Sequence, residues 1–181
     1  REVSHHACTA GCASPQLSRA LLHELKYLHQ HRTGTGISAF PESDSVLHWA
    51  ATIDAPHDTP WEGRVLRCTL VFCPTVTGGA WPNHPPKLVI QPPLPFHPNI
   101  DDRTGAVCMD LLQNAWSCAG GVLAILLSLR SLMASPTLAD AASWPANLKA
   151  ARKFLLEHDD YLLENHKRAK SMPRALRHTA E

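Results

Sequence analysis

Residues 92–116 constrain the fold of this chain more than any other stretch, because they show neither a helical nor a strand period. Compact domains seldom contain an irregular connection of roughly 25 residues, and ordered loops of that length usually carry function. The flanking sequence is more regular, with strand-like runs before the stretch and helical patterns after it. The chain therefore has to fold as a regular scaffold that supports one long, irregular loop.

A helix and several strands are predicted before this loop. Ser14 and Pro15 are typical of a helix N-cap and first helical position, and a leucine stripe continues the helix to about residue 31. The stripe consists of Leu17, Leu21, Leu25 and Leu28. Three runs have strand character, namely 46–53, 65–72 and 87–91. Prolines flank the third run and cannot donate to a ladder, so that strand is short or bounded by irregular backbone.

Helices are predicted after the loop. Residues 122–134 are apolar nearly all round, which is typical of a buried helix, and a further helical pattern from 145 to 170 breaks near His158. The order of helix, strands, loop and helices predicts an α+β fold with an antiparallel meander. We expect a tail at 1–14, one domain at 15–170 and a second tail at 171–181.

Charge and cysteine content exclude several classes of protein. Seventeen Lys and Arg residues face sixteen Asp and Glu residues, so nothing favours nucleic acid or an anionic membrane as partner. Six scattered cysteines do not form a secreted disulfide framework, and no apolar run reaches the length of a membrane span. Cys8 and Cys12, with His5 and His6, are too loosely spaced to indicate a metal site. We expect a cytoplasmic protein without a bound metal.

Cys108 is the candidate nucleophile of the irregular loop. It follows Gly105, which permits a tight turn, and lies among polar residues. A cysteine thiolate readily forms covalent acyl intermediates. Composition alone nevertheless favours the plainer interpretation, in which Cys108 is a small buried apolar residue.

Several short motifs around Cys108 resemble the active-site region of ubiquitin-conjugating enzymes. They are His-Pro-Asn-Ile at 97–100, Gly-x-x-Cys-x-Asp-Leu-Leu at 105–112 and Trp-Ser at 116–117. Flanking segments that also resemble the family are 49–53, 56–63, 85–87 and 126–129. Each piece alone is weak, but the ordered combination over about residues 15–170 is specific. The resemblance implies the ubiquitin-conjugating fold: an N-terminal helix, a four-stranded antiparallel meander, a long active-site loop and C-terminal helices.

The resemblance also implies the chemistry. Cys108 would accept ubiquitin from the activating enzyme as a thioester and pass it to an acceptor; ATP is used by the activating enzyme, so no cofactor is expected here. Asn99 matches the family asparagine that steadies the loop or the oxyanion, and one such donor is typically worth ~3 kcal/mol. A purely structural role for Asn99 remains open. Asp140 falls at the acidic position that helps to orient or deprotonate an incoming lysine, in a segment that departs from the usual form. His97 and Asp110 are expected to support the loop.

Partner contacts are implied at two further places. Those with a RING-type ligase fall at Asn83, Ser117 and Cys118. Those with the activating enzyme fall on the first helix at Arg19, His23 and Lys26. The family often has Phe where this chain has Asn83, proline where it has Cys118, and a more basic first helix.

Other short segments resemble the peroxisomal branch of the family. They lie at 103–105, 114–117, 132–136 and 171–174. This resemblance implies tethering to the cytosolic face of the peroxisomal membrane by an anchor protein. The implied substrate is the cycling import receptor, which would receive a single ubiquitin at a cysteine.

Alternatives remain open at this point. The chain could be a catalytically silent relative that acts as a binding scaffold, although silent relatives characteristically lose the cysteine that is present here. It could serve general cytosolic substrates or carry another ubiquitin-like modifier. A cysteine hydrolase would need a histidine beside Cys108, and sequence does not settle such spatial arrangements.

Overall fold

The computed structural model describes residues 13–43, 45–72, 80–113, 115–138 and 145–175. In chain order the elements are α1 (Pro15–His31), β1 (Ile37–Glu42), β2 (Ser45–Asp54), β3 (Val65–Val71), β4 (Lys87–Ile90), a short 3-10 helix (Asp110–Leu112), α2 (Gly121–Ala134), α3 (Leu148–Leu156) and α4 (His158–Ala169). The order of a helix, a sheet, a long loop and C-terminal helices confirms the predicted α+β fold.

The sheet is a four-stranded antiparallel meander in the order β1-β2-β3-β4. Side chains on β2 and β3 alternate, and the inward ones are buried against the helical layer. On β3 the inward set is Leu66, Cys68 and Leu70, followed by Phe72 just beyond the strand. This is the alternation expected of a sheet with one buried face.

Helix α1 begins at the predicted cap, where the hydroxyl of Ser14 accepts a hydrogen bond from the N–H of Leu17 at 3.2 Å. Its leucine stripe faces the core, with Leu17, Leu21 and Leu28 buried. Helix α2 packs against α1 and against β1 and β2, and its apolar sequence reflects that central position. Within the described ranges, no helix combines the length and the apolar character needed to cross a membrane.

The C-terminal helices break at Glu157, whose backbone leaves the helical region at φ −137° and ψ 55°. Beyond α4 the chain continues to pack where the sequence predicts a tail. The N–H of Val65 donates to the carbonyl of Pro173 at 2.8 Å, and Met172 is buried. Residues 171–175 thus belong to the folded unit. Residues 1–12 and 176–181, from the two predicted tails, lie outside the described residues, and so do Cys8 and Cys12.

Glu24 on α1 caps the N-terminus of α2, and this contact predicts a measurable contribution to stability. Its Oε2 accepts a hydrogen bond from the N–H of Val122 at 2.9 Å, and the N-cap residue Gly120 has no side chain to do so. The positive end of the helix dipole also stabilises a carboxylate at this position. We expect Glu24→Ala to lower the free energy of unfolding by about 1 kcal/mol in urea denaturation. Glu24→Gln keeps an acceptor and should recover part of the loss; equal stability of Glu24→Ala and the wild type would contradict the capping role.

Candidate active site

Backbone contacts fix Cys108 in the long loop. Its N–H donates to the carbonyl of Asn99 at 2.8 Å, and an antiparallel bridge pairs Ile100 with Val107. The loop therefore doubles back on itself, with the His-Pro-Asn segment lying directly beside the cysteine. The thiol of Cys108 is half-buried.

A tight turn between these two segments is set by Gly105 and Asp101. Gly105 has a positive φ of 71°, and a Cβ there would overlap the carbonyl of Ile90, so glycine is required. The Oδ1 of Asp101 accepts hydrogen bonds from the hydroxyl of Thr104 and the N–H groups of Thr104 and Arg103. The hydroxyl and N–H of Thr104 hold the pKa of the Asp101 carboxyl below its ordinary value. The turn thus retains its charged anchor over the neutral pH range.

The backbone of Phe96 is held by a buried amide from α4. Asn165 accepts a hydrogen bond from the N–H of Phe96 at 2.9 Å and donates to its carbonyl at 2.9 Å. The same amide donates to the carbonyl of Tyr161 at 3.2 Å. Two residues further on, the carbonyl of Pro98 accepts from the N–H of Asn147, at 2.9 Å. Asn165 on α4 and Asn147 at the N-cap of α3 therefore fix the backbone on both sides of His97.

Asn99 uses both ends of its side-chain amide to hold the segment after α2. Its Nδ2 donates to the carbonyl of Thr137 at 2.9 Å, and its Oδ1 accepts from the N–H of Thr137 at 3.1 Å. This pair mimics a strand-like backbone pairing between the active-site loop and residues 135–138. In this geometry the amide of Asn99 bonds Thr137, which favours the loop-supporting role. Asp140, three residues further on, lies outside the described residues.

His97 is completely buried and has a partner at both ring nitrogens. Its Nδ1 accepts the N–H of Asn99 at 3.1 Å, which leaves Nε2 to donate to the carbonyl of Leu132 at 3.1 Å. Burial lowers the pKa of the imidazole from 6.5 to about 4. His97 is therefore neutral at physiological pH and both nitrogens are engaged, so it does not act as a base for Cys108.

The buried imidazole of His97 predicts a pH dependence of stability. Because its pKa is lowered in the folded state, the unfolded chain binds the extra proton first as the pH falls below 6.5. The free energy of unfolding is therefore highest above pH 6.5. We expect it to fall by about 3 kcal/mol as the pH is lowered to 4. We expect urea denaturation between pH 7.5 and 4.5 to show this fall in the wild type and a shallower one in His97→Gln. Parallel pH profiles for the two proteins would contradict the assignment.

A cleft of about 250 Å³ opens beside the sulfur of Cys108. One wall carries hydroxyl groups, from Ser128 and Ser131 on α2 and from Ser135 just after it. Asp110, Asn99, Thr137 and apolar side chains of the loop and α2 complete the lining. A cleft with mixed hydroxyl and apolar walls offers hydrogen-bonding groups and apolar contacts to an extended peptide segment that ends at the thiol.

The residues implied in ligase contact come together away from this cleft. Asn83, Ser117 and Cys118 are all exposed. The indole Nε1 of Trp116 donates to the carbonyl of Pro82 at 3.1 Å and so joins the two loops that carry them. The structure thus forms one exposed surface from two separate loops.

The residues implied in contact with the activating enzyme share one helix. Arg19, His23 and Lys26 are exposed and spaced four and three residues apart, which places them on one face of α1. They do not line the cleft at Cys108. In the part of the chain that the structure describes, no three His, Cys, Asp or Glu side chains converge as metal ligands would.

Sequence patterns did not single out three residues that the structure places at the site. Asn147 and Asn165 hold the loop backbone, and Gln113 reaches the sulfur, with its Nε2 at 3.5 Å from Sγ of Cys108. Asn165 could have been found from the sequence as a polar residue on the inner face of the predicted C-terminal helix. The contacts themselves join residues distant in sequence, which local patterns do not encode.

Comparison with known proteins agrees with the fold. The family model for ubiquitin-conjugating enzymes matches residues 20–167. A fission yeast (Schizosaccharomyces pombe) protein, ubiquitin-conjugating enzyme E2-20 kDa, is 36% identical over 170 residues, covering 91% of this chain and 90% of the relative. The Arabidopsis thaliana protein ubiquitin-conjugating enzyme E2 3 is 39% identical over 126 residues, covering 70% of this chain and 77% of the relative.

A solved structure of a ubiquitin-conjugating enzyme has the same fold as this chain. The E2 domain of a Toxoplasma gondii ubiquitin-conjugating enzyme superposes with a TM-score of 0.73 at 28% identity, covering 86% of this chain and 98% of that domain. Fold, motif order and relatives together define the class, and the chain belongs to the ubiquitin-conjugating enzyme family. It is a ubiquitin-conjugating transferase, an enzyme that works through a cysteine thioester.

Proposed function

We propose that Cys108 is the residue that carries ubiquitin. The observation that supports this most strongly is the half-buried thiol at the edge of a cleft suited to an extended peptide. The other described cysteines suit the role less well. Cys68 is buried, and burial raises the pKa of its thiol to about 12. Cys118 is exposed but does not line the cleft.

The proposed reaction has two steps. In the first, the Cys108 thiolate attacks the carbonyl of the ubiquitin C-terminus, held as a thioester on the activating enzyme, and the departing thiolate leaves with the electron pair. In the second, an acceptor nucleophile attacks the new thioester and Cys108 is released. A thioester is already activated, so a neighbouring histidine base is not required, in accord with the neutral, fully bonded His97. The cleft lined by Ser128 and Ser131 would hold the extended C-terminus of ubiquitin.

The partners follow from the same proposal. The exposed face of α1 would engage the activating enzyme, and the surface of Asn83, Ser117 and Cys118 would engage a RING-type ligase. The two surfaces consist of different residues. Substitutions on the exposed face of α1 should therefore weaken binding of the activating enzyme without weakening binding of the ligase, and substitutions on the other surface should do the reverse.

A loading assay tests the proposal. The protein is incubated with activating enzyme, ATP and ubiquitin and separated on gels with and without added thiol. We expect one adduct of a single ubiquitin, dependent on ATP and removed by thiol. Lack of any thiol-sensitive adduct under conditions that load a known conjugating enzyme would refute the proposed role.

We further propose a role in the peroxisomal (peroxin four) branch of the family. In this role the enzyme is held at the cytosolic face of the peroxisomal membrane by an anchor protein and adds one ubiquitin to a cysteine of the cycling import receptor. Support comes from the segments at 103–105, 114–117, 132–136 and 171–174, whose sequences resemble that branch. A second candidate is conjugation of ubiquitin to general substrates, with which the names of the relatives are consistent.

The nature of the acceptor separates these two candidates. The loaded enzyme is mixed with a ligase and an import-receptor segment that carries a single cysteine, or the same segment with that cysteine replaced by lysine. The peroxisomal role predicts a thiol-labile receptor product from the cysteine form and little product from the lysine form. A preference for the lysine form would favour the general role.

A further inference from the structure

Gln113 contacts the atom at which the proposed chemistry takes place. Its side-chain Nε2 lies 3.5 Å from Sγ of Cys108, within range for a hydrogen bond to sulfur. Both residues are accessible from solvent, Cys108 partly and Gln113 more fully. Of the two ends of the glutamine amide, only the N–H end donates to a sulfur that carries negative charge.

The backbone after the cysteine brings the two side chains together. The short 3-10 helix spans Asp110–Leu112, and the N–H of Gln113 donates to the carbonyl of Asp110 at 2.9 Å. The N–H of Ala115 donates to the same carbonyl at 3.0 Å. Met109, at the start of this turn, is buried, which anchors it in the core. A tight turn with two backbone closures therefore returns residue 113 to the sulfur, five positions after the cysteine.

We propose that Gln113 is a catalytic residue that stabilises negative charge on Sγ of Cys108 during transfer. This inference rests on the proposed function of Cys108. When an acceptor amine attacks the thioester carbonyl, the new C–N bond forms and the C–S bond breaks with its electron pair passing to Sγ. The amine proton is lost to solvent, and the Gln113 N–H donates to the forming thiolate while keeping its own proton.

The contact stabilises the transition state more than the ground state. Sulfur in a thioester is a weak acceptor, whereas a thiolate is charged, and hydrogen bonds to charged groups are markedly stronger. An interaction that strengthens as the C–S bond breaks raises the rate of transfer. Because the site is open to water, we expect its loss to slow discharge about tenfold, less than the loss of a buried oxyanion donor.

Three substitutions at Gln113 test the electrostatic nature of the contact. Gln113→Met keeps the length and removes the donor, Gln113→Glu places a carboxylate beside the sulfur, and Gln113→Lys restores a donor with positive charge. We expect single-turnover discharge of the loaded enzyme to be fastest for the wild type and Gln113→Lys, slower for Gln113→Met and slowest for Gln113→Glu. Lys167→Met, at an exposed residue of α4 outside the cleft and both partner surfaces, serves as the control, and thermal unfolding verifies the fold of each variant.

The choice of acceptor separates a role at the sulfur from a role at the incoming group. Discharge is measured with free lysine and with a small thiol; stabilisation of the leaving thiolate predicts that Gln113→Met slows both by a similar factor. Slower discharge to lysine alone, or unchanged rates with both acceptors, would overturn the proposal.

A second readout does not depend on ubiquitin. Alkylation of Cys108 by iodoacetamide, followed against pH, should shift to higher pH in Gln113→Glu and to lower pH in Gln113→Lys; identical profiles would count against the proposal. Failure of the wild type to form any thioester would instead refute the proposed function, so the two failures are distinguishable.

Discussion

Replacement of Cys108 by serine is expected to yield an adduct with ubiquitin that resists thiol and discharges about a thousandfold more slowly, an increase of about 4 kcal/mol in the activation free energy. The serine hydroxyl is a weaker nucleophile than a thiolate, and the oxyester that it forms is less activated toward amines. The measurement is a time course of loading and of single-turnover discharge on gels with and without reducing agent.

Cys108→Ala provides the control for this result. It has no nucleophile at this position and should form no adduct of either kind, while its thermal unfolding matches that of the wild type because the half-buried side chain leaves only a small gap. A thiol-sensitive adduct that persisted in Cys108→Ala would place the chemistry on another residue.

Asn165→Ala is expected to lower the free energy of unfolding by about 3 kcal/mol, because it removes three hydrogen bonds and leaves the buried polar backbone of Phe96 without a partner. Asn165 has no exposed surface, so water cannot replace its amide without a rearrangement. Urea denaturation at neutral pH measures the effect.

Lys167→Ala is the matched control on the same helix. Lys167 is exposed, and its replacement should change stability by no more than about 0.5 kcal/mol. If Asn165→Ala were as stable as Lys167→Ala, the amide would not hold the loop. We also expect Asn165→Ala to load ubiquitin more slowly than the wild type at temperatures where both are folded, since Phe96 leads directly into the segment beside Cys108.

The contacts of residues 96–99 explain how an irregular loop can hold a reactive thiol in place. Each residue of this segment is bound by a different part of the chain after the loop: Phe96 by α4, His97 by α2, Pro98 by the residue before α3 and Asn99 by Thr137. The loop is therefore ordered by tertiary hydrogen bonds rather than by its own secondary structure. Such an arrangement keeps the backbone of the cysteine fixed while the cleft stays open.

Much of the fold could be predicted from local patterns, and the exceptions have physical causes. The leucine stripe of α1 and the alternation on β3 reflect burial of one face, which sequence periodicity records directly. Strand β1 has no such pattern, because Pro41 interrupts it and it lies at the edge of the sheet, paired only with β2. Only the resemblance to a four-stranded family implied this strand.

The candidate site, like the fold, could be predicted from the sequence only in part. Cys108 and Asn99 stand in an ordered motif, so the resemblance to the family could single them out as candidates. The contacts of Asn165 and Asn147 span tens of residues and depend on how the C-terminal helices pack, so no local pattern predicts them. Residues 171–175 were expected to form a tail because the helical pattern ends at residue 170, yet backbone pairing with residues 63–65 holds them on the domain.

The most direct test of the central claim is to locate ubiquitin on the wild-type enzyme after loading. Intact mass and peptide mapping, both without reducing agent, identify the modified residue. The account predicts one ubiquitin on the peptide that contains Cys108, and its complete loss after treatment with thiol. Attachment at Cys118 or at a lysine, with Cys108 unmodified, would contradict it.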